Sequence, residues 1–288
     1  MQRERVTDDI YVFTSDLYAQ VTAGVVITTE GAVMIDTLVY PEETKAIKRF
    51  VTERLGVEIK IVINTHYHAD HTTGTCFFDG AQVIAHERCR TLLDQRGRES
   101  LERARAAANA NSREMLDVTL VLPTLVFDKS LTFYLGGKTF KLWSTPGHSP
   151  DSIVCLVEQE QVLFAADTLM PIPYFVDGAY DDFLLSLEGL QSGSFETIIQ
   201  GHGEVILRGE VEEKIQSDID YLHKLRQLVD KALLSQPSDI ALNEIDIEDC
   251  GKSRITLNGM VQQLHRQNVQ ILAEQRRQLV QMQFQNGQ

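Results

Sequence analysis

The chain has 288 residues, 43% hydrophobic and 24% charged, which is enough for one large domain with a sizeable core plus an appendage. Its formal net charge of −14 argues against nucleic acid as a partner, because binding to the phosphate backbone relies on clustered Lys and Arg. No apolar run reaches membrane-spanning length and no signal-type apolar segment follows Met1, so a cytoplasmic protein without a membrane partner is expected.

Residues 10–37 read as strands, with Glu30 and Gly31 as a hairpin turn. A helix is predicted over 41–55, with Pro41 in its first turn and Gly56 at its end. The apolar run IKIVIN (59–64) is a strand that leads directly into His66-Tyr67-His68-Ala69-Asp70-His71. On an extended backbone, residues two apart point the same way, so His66 and His68 can grip one ion together. Asp70 and His71 follow where the chain turns into a short helix and can face a second ion.

After another short strand at 81–85, the chain becomes helical and Ala- and Arg-rich from Arg88 to about 118, an insertion before the next strands. It carries seven arginines (Arg88, Arg90, Arg96, Arg98, Arg103, Arg105 and Arg113). These read as a solvated helix face with paired charges, Glu99 with Arg103 and Glu102 with Arg105 being at helical pairing distance. The alternative is a lid that recognises an anionic substrate.

Strands are predicted near 125–127, 131–135, 138–144, 153–157 and 161–166. Each ligand-type residue of this half follows a strand. His148 comes after FKLWS in the turn Thr145-Pro146-Gly147-His148, Asp167 follows QVLFAA, and His202 follows FETIIQ between Gly201 and Gly203. Residues 169–182 form an aromatic, proline-bearing loop whose Tyr174, Phe175 and Tyr180 are candidates to line a substrate pocket. A helix is predicted over 183–191. Beyond residue 210 come two amphipathic helical patterns, about 210–234 and 257–282, which pack on the body or form a homodimer interface.

Seven nitrogen and oxygen donors at strand ends exceed what one tetrahedral ion needs and suit two ions sharing a carboxylate, Asp167. His86, His223 and His265 have no partner motif and read as surface or packing residues. Cys76, Cys89, Cys155 and Cys250 lack ligand spacing and read as reduced packing thiols.

The motif and its order resemble the metallo-β-lactamase superfamily of metallohydrolases, from Tyr11 to about Arg208. The resemblance implies an α+β, four-layer αββα sandwich as a catalytic domain over 1–210, with a helical extension over 211–288. It implies that His66, His68 and His148 hold one divalent ion, that Asp70, His71 and His202 hold the other, that Asp167 bridges them, and that Asp36 supports the metal loop. Zinc is expected, with iron or manganese as alternatives. Asp at 167, where one group of true β-lactamases carries Cys, points to the glyoxalase II and lactonase-like branch. The expected reaction is therefore hydrolysis of a thioester or lactone of a small molecule, with Asp70 orienting the hydroxide and passing its proton to the leaving group. The Thr-x-Gly-His stretch of glyoxalase II is absent after His148. The Tyr that lactonases place three residues after the bridging Asp is replaced by Met170, so Tyr174 or Tyr180 would have to substitute. An iron-dependent persulfide dioxygenase, a promiscuous β-lactamase and a phosphodiesterase are the alternatives on the same scaffold.

Overall fold

The computed structural model describes residues 1–107, 113–235 and 237–286; residues 108–112 of the predicted insertion lie outside the described residues. The first half builds a seven-stranded sheet in the order β1 to β7: β1 (Gln2–Arg5), β2 (Ile10–Thr14), β3 (Thr22–Thr28), β4 (Gly31–Ile35), β5 (Ile59–Ile63), β6 (Gln82–His86) and β7 (Leu125–Phe127). Its first four strands are antiparallel neighbours, and β4 to β7 run parallel. The second half builds a six-stranded sheet in the order β13-β12-β11-β10-β9-β8 from β8 (Ser130–Leu135), β9 (Lys138–Ser144), β10 (Ile153–Val157), β11 (Val162–Ala166), β12 (Thr197–Gln200) and β13 (Val205–Leu207).

Helices cover both outer faces. On the first sheet, α1 (Pro41–Arg49) continues as a wider turn to Arg54 and buries Ile47 and Val51 against Met34 and Val62. The short α2 (Ala69–Thr72) follows β5, while α3 (Glu87–Leu92) and α4 (Arg98–Ala107) form the insertion after β6. On the second sheet lie α5 (Tyr180–Gln191), α6 (Arg208–Leu233), α7 (Ser238–Asn243) and α8 (Val261–Asn286). The inward faces of the two sheets close one core, with Val12, Val33 and Ile63 meeting Phe140, Leu142 and Phe164. A second core runs from β10 and β11 through α5 into α6 and α8, so the C-terminal helices share the interior of the second sheet. The result is the αββα sandwich with a helical extension.

Sequence patterning misses β1, β13 and α7. The side chains of β1 are all exposed where it pairs with β2, so it leaves no buried alternation to read. No helix among the described residues is long and apolar enough to cross a membrane.

Candidate metal centre

The two sheets meet at one rim. There Thr22 N donates to Gly201 O (2.8 Å), Ile153 N donates to Thr65 O (3.0 Å), and Val21 bridges His202. Hydrogen bonds across the seam lock the end of β5 to the start of β10 and the start of β3 to the end of β12, and all seven predicted donors lie on this rim. They form two groups, His66, His68, His148 and Asp167 in one and Asp70, His71 and His202 in the other, with the ligand atoms of each group within 4.8 Å of one another.

In the first group, His68 Nδ1 lies 3.1 Å from His66 Nε2 and 2.8 Å from His148 Nε2. Asp167 Oδ2 stands 3.2 Å from His148 Nε2. In the second group, His202 Nε2 is 3.4 Å from Asp70 Oδ2, and His71 Nε2 is 3.8 Å from the same oxygen. Asp167 also belongs here, with Oδ1 3.2 Å from His71 Nε2 and Oδ2 3.6 Å from His202 Nε2.

Every imidazole directs one nitrogen at this centre and engages an outer partner with the other. Thr65 Oγ1 lies 3.2 Å from His66 Nδ1, and Asp177 Oδ2 lies 3.0 Å from His68 Nε2. His71 Nδ1 is 2.8 Å from Asp36 Oδ2, His148 Nδ1 is 2.6 Å from Tyr174 O, and His202 Nδ1 is 2.9 Å from Ala19 O. This is the arrangement that orients metal ligands, because an outer acceptor fixes both the tautomer and the plane of the ring. Asp36 also accepts from Thr65 N (2.9 Å) and Thr65 Oγ1 (2.7 Å), so one carboxylate ties β4 to the ligand loop.

Local backbone supports the geometry. Asp36 and Ala166, the residue before Asp167, adopt left-handed φ values of +55° and +44°, a conformation that non-glycine residues hold only where the surroundings enforce it. Gly201 is required because a Cβ there would collide with the Asp167 carboxylate.

The electrostatics differ across the centre. Burial, with neighbouring imidazoles, pushes His66 well below the ordinary histidine range, and burial takes His148 down to about 4. Burial opposes charge on His71 and His202 too, but Asp167 and the other carboxylates overcome it, raising His71 well above its usual value and His202 to about 10. Despite burial, the facing histidines hold Asp70 down to about 2. Among the buried atoms without a hydrogen-bond partner, His71 Nε2 and Asp167 Oδ1 face each other at this centre, 3.2 Å apart. Orphaned buried donors and acceptors are costly in a folded protein, and a cation between them would satisfy both. Imidazoles and carboxylates without thiolate suit zinc, iron or manganese, so the residues fit divalent metal.

Of the three residues predicted to line a pocket, only Tyr174 stands at the centre, its ring 5.8 Å from that of His148 and its hydroxyl donating to Gln267 Oε1 (2.6 Å). Phe175 and Tyr180 are corrections. Both are buried in the core of the second sheet, and Tyr180 Oη donates to Leu222 O (3.0 Å), because the space behind the loop is filled by α6. His86 is buried and caps α3 by accepting from Arg88 N, while His265 is buried between Tyr221 and Ile245 O.

Asp177 is the residue the sequence reading missed. It accepts from Tyr67 Oη, stands 3.5 Å from Arg96 Nη1, and is held at about 2, first by its hydrogen bond from His68. Nothing in its Val-Asp-Gly context signals an acceptor for a histidine 109 positions earlier. The arginines of the insertion whose side chains are described are exposed, as on a solvated face, and Arg98 pairs with Asp94. Arg90 donates to Pro123 O and Arg96 donates to Tyr67 Oη (3.2 Å), which fastens the insertion to the body, while Arg105 donates to Val118 O within it.

Beside His68 opens a cavity of about 530 Å³ between α4, the 115–121 segment and the 67–73 loop.

The sequence model of the family described as "Metallo-beta-lactamase superfamily" matches residues 18–209, which include every donor of both groups. Among curated proteins, the chain is 29% identical over 106 residues to the "Beta-lactamase-like protein 2 homolog" of Caenorhabditis elegans, covering 37% of this chain and 35% of that protein. It is 29% identical over 164 residues to the "Atrochrysone carboxyl ACP thioesterase" of Aspergillus fumigatus, covering 56% and 43%. The chain therefore spans less than half the length of these two relatives. Among solved structures, the "Metallo-beta-lactamase from Pontibacter korlensis" superposes with a TM-score of 0.60 at 19% identity, over 75% of this chain and 98% of that one, a likeness of fold.

Proposed function

The chain belongs to the metallo-beta-lactamase superfamily, and from that premise we propose that it is a hydrolase with two divalent ions, zinc by preference, that cleaves a thioester or lactone of a small molecule. The observation that carries the reading is the pair of donor groups joined through Asp167, with each imidazole anchored from behind. A relative named as a thioesterase adds support for the bond cleaved.

Bound ions supply a water that ionises near neutral pH, with a pKa of about 7, and a Lewis acid for the carbonyl oxygen. His66, His68 and His148 hold one ion, Asp70, His71 and His202 hold the other, and Asp167 serves both. Asp70 is the more open carboxylate, its side chain 16% exposed against 4% for Asp167. A carboxylate is ionised at neutral pH, as an acceptor for the attacking water's proton must be. In thioester hydrolysis the water oxygen bonds to the acyl carbon, the carbon–sulfur bond breaks, and the departing thiolate takes the proton back from Asp70. Tyr67, Arg96 and Asp177 keep His68 oriented while this occurs.

The test is turnover of a panel of thioesters and lactones by metal-replete protein, beside His68→Ala. The proposal expects turnover by the parent and its loss in the variant, with an unchanged melting temperature in chelator. Wild-type rates in His68→Ala would exclude the mechanism.

A further inference from the structure

The cavity beside His68 joins the donor groups to the insertion. His68 and Asp177 form part of its wall at the metal-centre end, so a molecule whose reacting carbonyl lies at the centre can extend straight into it. Away from that end the lining is largely apolar, with Val39, Leu93, Ala104, Met115, Val118 and Leu120. Leu93 and Val118 are only 1% and 2% exposed, so the floor of the cavity belongs to the packed interior, while half-buried Ala104, Met115 and Leu120 form its outer side. The volume falls within the range of small-molecule sites, which are usually apolar with few polar groups.

The charged residues near the cavity are mostly engaged elsewhere. Arg96 is taken up by Tyr67 and Asp177, Arg98 pairs with Asp94 at 2.6 Å, and Arg105 donates to a backbone carbonyl. Arg103 is accompanied on the lining by the acid Glu99. The insertion thus presents an apolar surface with balanced charge at its edge, a poor receptor for an anionic group and a good one for hydrocarbon.

We propose that this cavity receives the acyl chain of the substrate, and that the enzyme selects thioesters or lactones with a long, uncharged apolar acyl group over short or charged ones. The inference rests on the ester-type hydrolysis proposed above and adds the class of acyl group. Each methylene drawn from water into such a cavity improves kcat/KM about fourfold until the space is filled.

The experiment uses metal-replete protein and a series of thioesters of one thiol, from acetyl to decanoyl, with a succinyl thioester as the charged comparison. The expected result is a kcat/KM that climbs with chain length, a weak succinyl substrate, and loss of most of the climb in Ala104→Trp, which fills the cavity from α4. If that variant melts early, Ser100→Trp from the same wall replaces it. A flat chain-length profile, or a climb untouched by the filling variant, overturns the proposal. If no thioester or lactone is turned over, the hydrolytic reading fails, and binding of 1-decanol decides the cavity separately. Saturable binding weakened at least tenfold by Ala104→Trp upholds an apolar-chain site; absent binding, or binding indifferent to the variant, overturns it.

Discussion

The two donor groups share Asp167 but are supported by different parts of the chain. His71 leans on Asp36 at the end of β4 and His202 on the carbonyl of Ala19 before β3, so the second group is held from within the first sheet and its loops. Two of the three histidines of the first group lean instead on the loop after Asp167, His148 on Tyr174 O and His68 on Asp177. That loop is clamped from the far end of the chain. Asn268 on α8 accepts from Phe175 N (3.3 Å) and donates to Pro173 O (2.7 Å), Gln267 accepts from Tyr174 Oη, and Gln275 donates to Gly178 O (3.3 Å). The family match ends at residue 209, so the helix that clamps this orienting loop lies beyond it. The extension works as part of the site's frame.

Breaking what the two halves have in common should have the largest effect. Asp167→Ala removes the shared carboxylate and is expected to lower turnover by on the order of a thousandfold or more, read by steady-state kinetics. Next comes the anchor of the extension. Asp218 is fully buried and accepts from both Lys214 and Lys252, while Lys214 also donates to Met170 O at the start of the clamped loop. Asp218→Ala strands two buried ammonium groups, and a loss of about 3–5 kcal/mol in unfolding free energy is expected from denaturant titration.

The contrast sharpens with two smaller changes. Asp36→Asn should weaken metal binding by the second group, and Asp177→Asn by the first, each roughly 10- to 100-fold. Competition with a chelator of known affinity, followed by counting the ions retained, separates them. Asn268→Leu acts one step further out, through the loop, and should cost the first group about tenfold while leaving the second unchanged. Equal weakening of both groups by Asn268→Leu would dissolve the distinction between the halves.

The difference between the halves also marks what could be read in the sequence. The seven donors were legible because each follows an apolar strand, and the spacing of His66 and His68 is the period of an extended chain. Asp36 was named only through the family resemblance, and the structure supplies its contacts. The outer partners of the first group were not legible. Asn268 meets Phe175 across 93 positions, and a single amide on a Gln-rich helix leaves no periodic trace. Phe175 and Tyr180 were misassigned because aromatic residues beside a ligand look the same whether they face a pocket or the core. Here α5 and α6 bury them. The insertion is legible as helical and its arginines as an exposed face; the distant acceptors that Arg90 and Arg96 reach, Pro123 O, Tyr67 Oη and the Asp177 carboxylate, leave no trace in the sequence.

The central claim is that two cations share Asp167. It is tested most directly by native mass spectrometry of the chain after equilibration with zinc and removal of free metal. Two bound ions per chain, reduced by Asp167→Ala, are predicted. A single ion in the parent protein, or a count that Asp167→Ala leaves at two, would contradict the account.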